Sequence, residues 1–240
     1  MRPTSRNPAE PMKFGRLVDL SHTILPGEGS RPFVSTMVPP PELKGGFDPD
    51  QWYVMHDVSF LNHNRTHIEA PYHVVRDGKD VSEMPLEQLC GTCAVLDLTH
   101  LEPDTPTTPE MLERAAQPAG GVHDDDIVLV HFGIHRYPER YAGVQPRPRN
   151  PHFTAGAIAW LVERGMKLMG VDTGGIELRA EDPRSRFQFN HHQLMDRGIP
   201  LIENVGNMHR LTQPRVTLFC FPVAIKGMDS FPVRLVAMES

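Results

Sequence analysis

Apolar residues fall along this chain in short runs divided by Gly, Pro, Asn and Asp. Residues 16–20, 54–60, 92–98, 127–132, 167–171, 201–203, 216–221 and 233–238 read as strands. Runs of this length, rich in Val, Ile, Leu and Phe and bounded by turn-formers, suit burial in a sheet. Helix signals are fewer. Thr108 followed by Pro109 and Glu110 makes a helix start, with Thr as cap and Pro at the first position. Thr154 opens a second helix through Ala157, Ile158, Leu161 and Val162, which stops at Gly165. Asn190 opens a third, with Gln193 completing a capping-box pattern and Gly198 ending it.

Strands outnumber helices, and their connections vary in length. The pattern predicts one mixed α/β domain over residues 13–240, with the polar, Pro-rich residues 1–12 frayed. Residues 25–51 hold Pro26, Gly27, Gly29, Pro39, Pro40, Pro41, Gly45 and Gly46, and read as a long loop without regular structure. The Arg- and Pro-rich stretch 136–150 reads as a second long loop.

Composition narrows the class. Of 240 residues, 39% are hydrophobic and 22% charged, which is ordinary for a folded domain and argues against wholesale disorder. The net charge of −6 disfavours a general nucleic-acid binder, which needs a basic face. No apolar run reaches the ~18 residues of a membrane span, and no apolar core follows the N-terminus as in a secretory signal. Three cysteines make no disulfide scaffold, so a reducing cytoplasm is the expectation. Cys90 and Cys93 have Cys-x-x-Cys spacing, but Cys93 leads straight into an apolar strand and reads as buried and structural. Gly174 and Gly175 lack the pattern of a dinucleotide site, and no Gly-x-Ser-x-Gly elbow marks a serine hydrolase.

The candidate chemistry lies in residues 63–73, where His63, His67, Glu69 and His73 share eleven positions. On an extended chain, His67 and Glu69 point the same way, about 6.6 Å apart at the backbone, and can converge on one ion. His63 and His67 would stand about 13 Å apart if extended, too far for shared metal bonds of about 2 Å, so the chain must bend between them. Pro71 then stops a regular strand before His73. His and carboxylate ligands suit Zn, Mn or Fe without choosing among them. A second, weaker pair is His191, at a helix start, with Glu203 at the end of a strand.

These residues resemble the signature of the cyclase family, which includes the bacterial kynurenine formamidases and isatin hydrolases. Its pattern is His-x-Gly-Thr-His-x-Asp-x-Pro-x-His. Other segments are similar in the same order: residues 17–22, the helix and strand that lead to Gly170, Val171 and Asp172, the segment from His191 to Glu203 with its twelve-residue offset, and Phe231, Pro232, Val233 and Arg234. The similarity runs from about Phe14 to Met238.

The resemblance implies a mixed-sheet, swivelling β/β/α fold in a single domain, a homo-oligomer (dimer or tetramer), and hydrolysis of a small amide, lactam or lactone. It implies His63, His67 and Glu69 as ligands of one Zn or Mn ion, with His191 and Glu203 holding a second ion that Glu69 bridges. It implies His73 as the catalytic acid/base. Two positions depart from the pattern: Arg65 replaces Gly, at a steric cost if the position needs a positive φ, and Glu69 replaces Asp, with a longer reach. Phe33, Trp52 and Tyr72 are candidates to stack on a planar substrate, and Arg65 to meet an anionic one. Arg136, Arg140, Arg147 and Arg149 could draw such a substrate or form a surface or subunit contact. Two other readings share these residues: a cyclising or dehydrating lyase that uses the metal as a Lewis acid, and a member that binds ligand or metal without catalysis.

Overall fold

The computed structural model describes residues 15–27, 34–37, 54–136 and 149–240. Phe33, Trp52, Arg140, Arg147 and residues 1–12 lie outside them. The strands are β1 (Arg16–Asp19), β2 (Val34–Met37), β3 (His56–Ser59), β4 (His67–Glu69), β5 (Cys90–Asp97), β6 (Pro106–Thr107), β7 (Ile127–His131), β8 (His152–Phe153), β9 (Leu168–Val171), β10 (Leu201–Glu203), β11 (Arg215–Pro222) and β12 (Ser230–Glu239). The α-helices are α1 (Pro109–Ala116), α2 (Ala155–Glu163) and α3 (Phe189–Met195).

The main sheet runs β1-β12-β11-β5-β7-β9-β10-β4, and β4 also pairs with β12. Seven strands thereby close into a mixed barrel-like sheet, with β1 attached to the far part of β12. The neighbours β5, β7, β9 and β10 run parallel, and the remaining pairs are antiparallel. Closure leaves no bare edge in that ring.

Strand residues alternate between two cores, as a period of two requires. Ile68, Cys93, Val95, Ile127, Leu129, Leu168, Ile202, Leu218, Cys220 and Leu235 come from every strand of the ring and fill its interior. Ala94, Leu96, Val128, Val130, Met169, Val171 and Leu201 face outward and pack under the three helices through Leu112, Ile158, Leu161 and Leu194. Gly170 permits this closeness, since a Cβ there would stand 2.4 Å from Leu129 Cδ2. Truncating a fully buried residue such as Leu129 to Ala costs about 2–5 kcal/mol.

The inward turn of Ile68 sends His67 and Glu69 to the outer face, and the inward turn of Ile202 does the same for Glu203. In the β4–β10 pairing Glu203 stands opposite His67. The cluster therefore sits outside the barrel, where β4 and β10 meet α3.

Two expectations need correction. Residues 25–51 are not wholly irregular, because β2 lies within them and pairs antiparallel with β3. The third helix begins at Phe189 with Gln188 as its left-handed cap residue, so Asn190 is already inside it. Glu177 takes over the capping role: its Oε1 accepts from the backbone N–H of Asn190 at 2.6 Å and of His191 at 3.2 Å. Gln193 does reach Asn190, donating to its Oδ1 at 3.0 Å. Thr154 caps α2 as expected, accepting from Ala157 N–H. Cys93 is buried within β5, and burial pushes its thiol pKa up.

Candidate metal centre

The bend between His63 and His67 passes through Arg65, at φ 54°. A left-handed backbone here explains why Gly suits the position, and the strain on Arg costs about 1–2 kcal/mol. The bend brings the two imidazoles to 5.0 Å between ring centroids. Beyond β4, Pro71 opens a single 3-10 turn, Pro71–His73, whose end carries His73 back over the strand. Gly78 packs against that turn, where a Cβ would stand 2.7 Å from the Pro71 carbonyl carbon.

Glu69 is the hub. Its Oε1 lies 2.8 Å from His63 Nδ1 and 3.4 Å from His67 Nε2, and its Oε2 lies 3.5 Å from His191 Nε2. Glu203 approaches from the next strand, 3.7 Å from His67 Nε2 and 3.8 Å from His191 Nε2. Glu69 is 2% exposed and His191 5% exposed, so these charges are withdrawn from water.

Each imidazole is held from outside by a fixed acceptor. His67 Nδ1 donates to the Arg65 carbonyl at 2.8 Å. His191 Nδ1 donates to Glu177 Oε1 at 3.3 Å. His63 Nε2 donates to Asp229 Oδ2 at 2.8 Å. The opposite nitrogen of each ring then faces Glu69. Fixing one nitrogen in this way sets the tautomer and leaves the other as a lone-pair donor. Asp229 Oδ2 also accepts from His73 Nδ1 at 2.9 Å.

The electrostatics follow from this packing. Burial works to lower the pKa of His63, but the bonds to Glu69 and Asp229 outweigh it and raise it to about 9. Burial likewise opposes the rise at His191, yet Glu177, Glu203 and Glu69 lift it to about 11. Burial alone would raise the Glu69 carboxyl, and the surrounding imidazoles drive it far below the usual carboxylate range instead. In the metal-free protein, protons occupy the nitrogens of His63 and His191 that face Glu69.

The donor set fits a divalent ion. His63, His67 and Glu69 present ligand atoms within 4.8 Å of one another, and so do Glu69, His73 and His191. Glu69 Oε2 is buried without a hydrogen-bond partner. With His67 Nδ1 engaged by the Arg65 carbonyl, His67 Nε2 stands 3.4 Å from Glu69 and 3.7 Å from Glu203, a place where one cation could be shared by an imidazole and two carboxylates. Imidazole nitrogen with carboxylate oxygen suits Zn, Mn or Fe.

All six residues marked in the sequence as ligands or acid/base are thus brought together. A cleft of about 430 Å³ opens on them, lined by Glu69, His73, His191 and Glu203 with Gly174, Gly175, Glu177 and Leu178. Neither Arg65 nor Tyr72 is among its lining residues. Arg65 adds its charge to burial in lowering the pKa of His22, and Tyr72 is partly exposed, its N–H bonded to the Lys79 carbonyl. Asp229 and Glu177 were not anticipated. The available signal was the position of Asp229 one residue before Ser230, Phe231, Pro232 and Val233. Glu177 had none beyond its nearness to Gly174 and Gly175.

A second histidine cluster lies outside this centre. His131, His135 and His209 line a cavity of about 530 Å³ together with Asp97 and Arg136. Their rings stack in series, with centroid separations of 5.7 Å and 4.3 Å. Burial first, and then the neighbouring imidazoles and Arg136, lower the pKa of His131 to about 4 against the pull of Asp97.

Fold and site together define a closed-sheet α/β protein with a buried histidine–carboxylate centre. The chain belongs to the cyclase family: the family profile described as "Putative cyclase" matches residues 18–178. It is 28% identical over 174 residues to a kynurenine formamidase of Bacillus cereus, covering 72% of this chain and 75% of that one. A kynurenine formamidase from a second Bacillus cereus strain is 26% identical over 230 residues, covering 94% of this chain and 98% of the other. The fold superposes on isatin hydrolase A from Labrenzia aggregata, bound to benzyl benzoate, with a TM-score of 0.77, 25% identity and 93% coverage of both chains.

Proposed function

We propose that this chain is a metal-dependent hydrolase that cleaves a C–N or ester bond in a small amide, lactam or lactone. The observation that carries the reading is the orientation of His63, His67 and His191. Each is tied outward to a fixed acceptor and turns its other nitrogen toward Glu69. His63, His67 and Glu69 would hold one ion, and His191 and Glu203, with Glu69 shared, a second. The ion is Zn or Mn in this reading.

A divalent ion in such a site polarises a substrate carbonyl and lowers the pKa of water toward neutrality. The protein supplies the remainder. Burial of Glu69, His67 and His191 excludes bulk water, which strengthens each charge interaction. His73 is held through Nδ1, so its Nε2 is the nitrogen that takes a proton and delivers it to the leaving nitrogen or oxygen. Such a role is worth about 10²–10⁴-fold. Gly174 and Gly175, with no side chains, leave the cleft wall open to a flat substrate.

The relatives motivate formyl-kynurenine and isatin as first substrates. A cytoplasmic homo-oligomer completes the reading. The three cysteines are free thiols. The β2–β3 ribbon stands apart from the main sheet and exposes Val34, Met37 and Val58, an apolar arm suited to a second copy. Among the described residues no helix is long and apolar enough to cross a membrane.

The test is a panel of formyl-kynurenine, isatin and a simple aryl lactone, assayed with Zn, Mn or Fe. Hydrolysis should release one acid per substrate, stop with chelator and return with metal. Metal uptake without turnover of any substrate would favour the binding-protein reading. A cyclised or dehydrated product would favour the lyase.

A further inference from the structure

We propose that Asp229 is a positioning residue that ties the metal ligand His63 to the acid/base His73 through a single carboxylate oxygen. This rests on the hydrolase reading above. Oδ2 of Asp229 accepts from His63 Nε2 at 2.8 Å and from His73 Nδ1 at 2.9 Å. The two imidazoles meet over it at a tilt of 48°, with ring centroids 4.6 Å apart. Oδ1 accepts from Asn62 Nδ2 at 2.6 Å, so the carboxylate is gripped from its other side. Its backbone is fixed as well: the Asp229 carbonyl accepts from Ala70 N–H at 2.8 Å, at the junction between β4 and the turn that carries His73.

The chemical consequence is a choice of tautomer. A carboxylate has only lone pairs to offer, so both imidazoles must present an N–H to Oδ2. His73 then carries its proton on Nδ1, and its lone pair on Nε2 is ready to receive one from the reacting group. His63 carries its outer proton on Nε2, and its Nδ1 is directed at Glu69. One anion thus sets the direction of proton transfer and the aim of a ligand together. An acceptor behind a catalytic imidazole does the same work in hydrolases of other folds.

Asp229→Asn is nearly isosteric but offers an N–H donor beside its one oxygen, so it can hold His73 in the wrong tautomer. Long-range nitrogen–proton NMR on metal-free protein in mildly alkaline buffer reads the tautomer directly, with His73→Gln assigning the signal. The expected result is an Nδ1 proton on His73 in the wild type and a shift toward Nε2 in Asp229→Asn. Turnover should fall about 100-fold with KM changed by less than about twofold and metal content retained. In a His73→Gln background the same substitution should cost less than about twofold, because the two act as one unit.

An unchanged tautomer, or a full further loss in the His73→Gln background, would overturn the proposal. Loss of bound metal with the tautomer preserved would also overturn it, since Asp229 would then serve His63 alone. If the wild type hydrolyses nothing, the hydrolase reading fails, while the metal-free tautomer still decides the placement of Asp229. Asn62→Ala is the second variant if Asp229→Asn does not fold. It releases Asp229 Oδ1, together with a bond to the Ser230 carbonyl, and should lower turnover severalfold; unchanged turnover would count against a carboxylate that must be held in place.

Discussion

Two histidine clusters in this molecule have opposite electrostatic characters. Around Glu69, four imidazoles meet four carboxylates: Glu69, Glu177, Glu203 and Asp229. Around His131, three imidazoles stack on one another beside Arg136, with Asp97 nearby and the Asp172 carboxylate 4.0 Å from His131 Nε2 but engaged by three backbone N–H groups. Burial acts in the same direction in both places, disfavouring the charged ring. In the first cluster the carboxylates override it and raise His63 and His191 to about 9 and 11. In the second, burial and like charge combine and lower His131 to about 4. Histidine density alone therefore does not mark a cation site. Neighbouring carboxylates and fixed outer acceptors do, and that is the pattern of a metal centre.

Removing the Glu69 charge should have the largest effect. Glu69→Gln keeps the shape and takes away the charge that faces the imidazoles of His63, His67 and His191. Turnover should fall by about 10³-fold, the equivalent of several kcal/mol, with a matching loss of bound metal by elemental analysis. A variant with normal metal content and rate would remove Glu69 from the ligand set.

A smaller effect is expected one step outward. Glu177→Gln can still accept the helix N–H groups through its amide oxygen but no longer offers a charge to His191 Nδ1. Metal affinity should drop about 10–100-fold while thermal stability changes little. Competition with a fluorescent chelator measures the first and calorimetry the second.

Acidity separates the two clusters further. In the metal-free protein the stability contributed by His63 is complete below pH 6.5 and is lost as pH rises through about 9, because the folded state holds that proton more tightly. His131 does the reverse. The unfolded chain takes up a proton near pH 6.5 and the folded chain only near 4, so stability falls as pH drops across that window. Urea titrations over a pH series should show both limbs, and His131→Gln should flatten the acid limb alone. The smallest expected effect is at Arg65, whose φ is 54°. Arg65→Gly should raise stability by no more than about 1 kcal/mol, since relief of strain is offset by the freer unfolded chain.

Much of this architecture was legible in the sequence for a physical reason. Barrel strands such as β5, β7 and β9 are buried on both faces, so they appear as nearly continuous apolar runs. The strand at residues 201–203 stands out because Pro200 precedes it and Asn204, a poor strand former, follows. A bend between His63 and His67 and the shared face of His67 and Glu69 also follow from chain geometry, whereas the place of the bend, at Arg65, follows only from the family pattern. The short strand β2 was hidden among prolines and glycines, and only its pairing with β3 makes it a strand. The start of α3 was misjudged because its cap comes from Glu177, 13 residues before Asn190, and not from the local chain. Asp229 was missed for the same reason on a larger scale. It stands 156 residues from His73, and only closure of the sheet through the β12–β4 pairing brings the two together. Local spacing shows which residues can share a face, whereas acceptors behind those residues come from wherever the sheet closes.

The cluster around Glu69 is expected to hold metal, and the stacked cluster around His131 is not. Elemental analysis of tag-free protein purified without chelator tests it most directly, alongside Glu69→Gln and a His135→Ala, His209→Ala double variant. About one or two equivalents of Zn, Mn or Fe per chain are expected in the wild type and the double variant, and a clear loss in Glu69→Gln. No metal in the wild type, even after incubation with each ion and desalting, would contradict it. So would metal that disappears with His135 and His209 and not with Glu69.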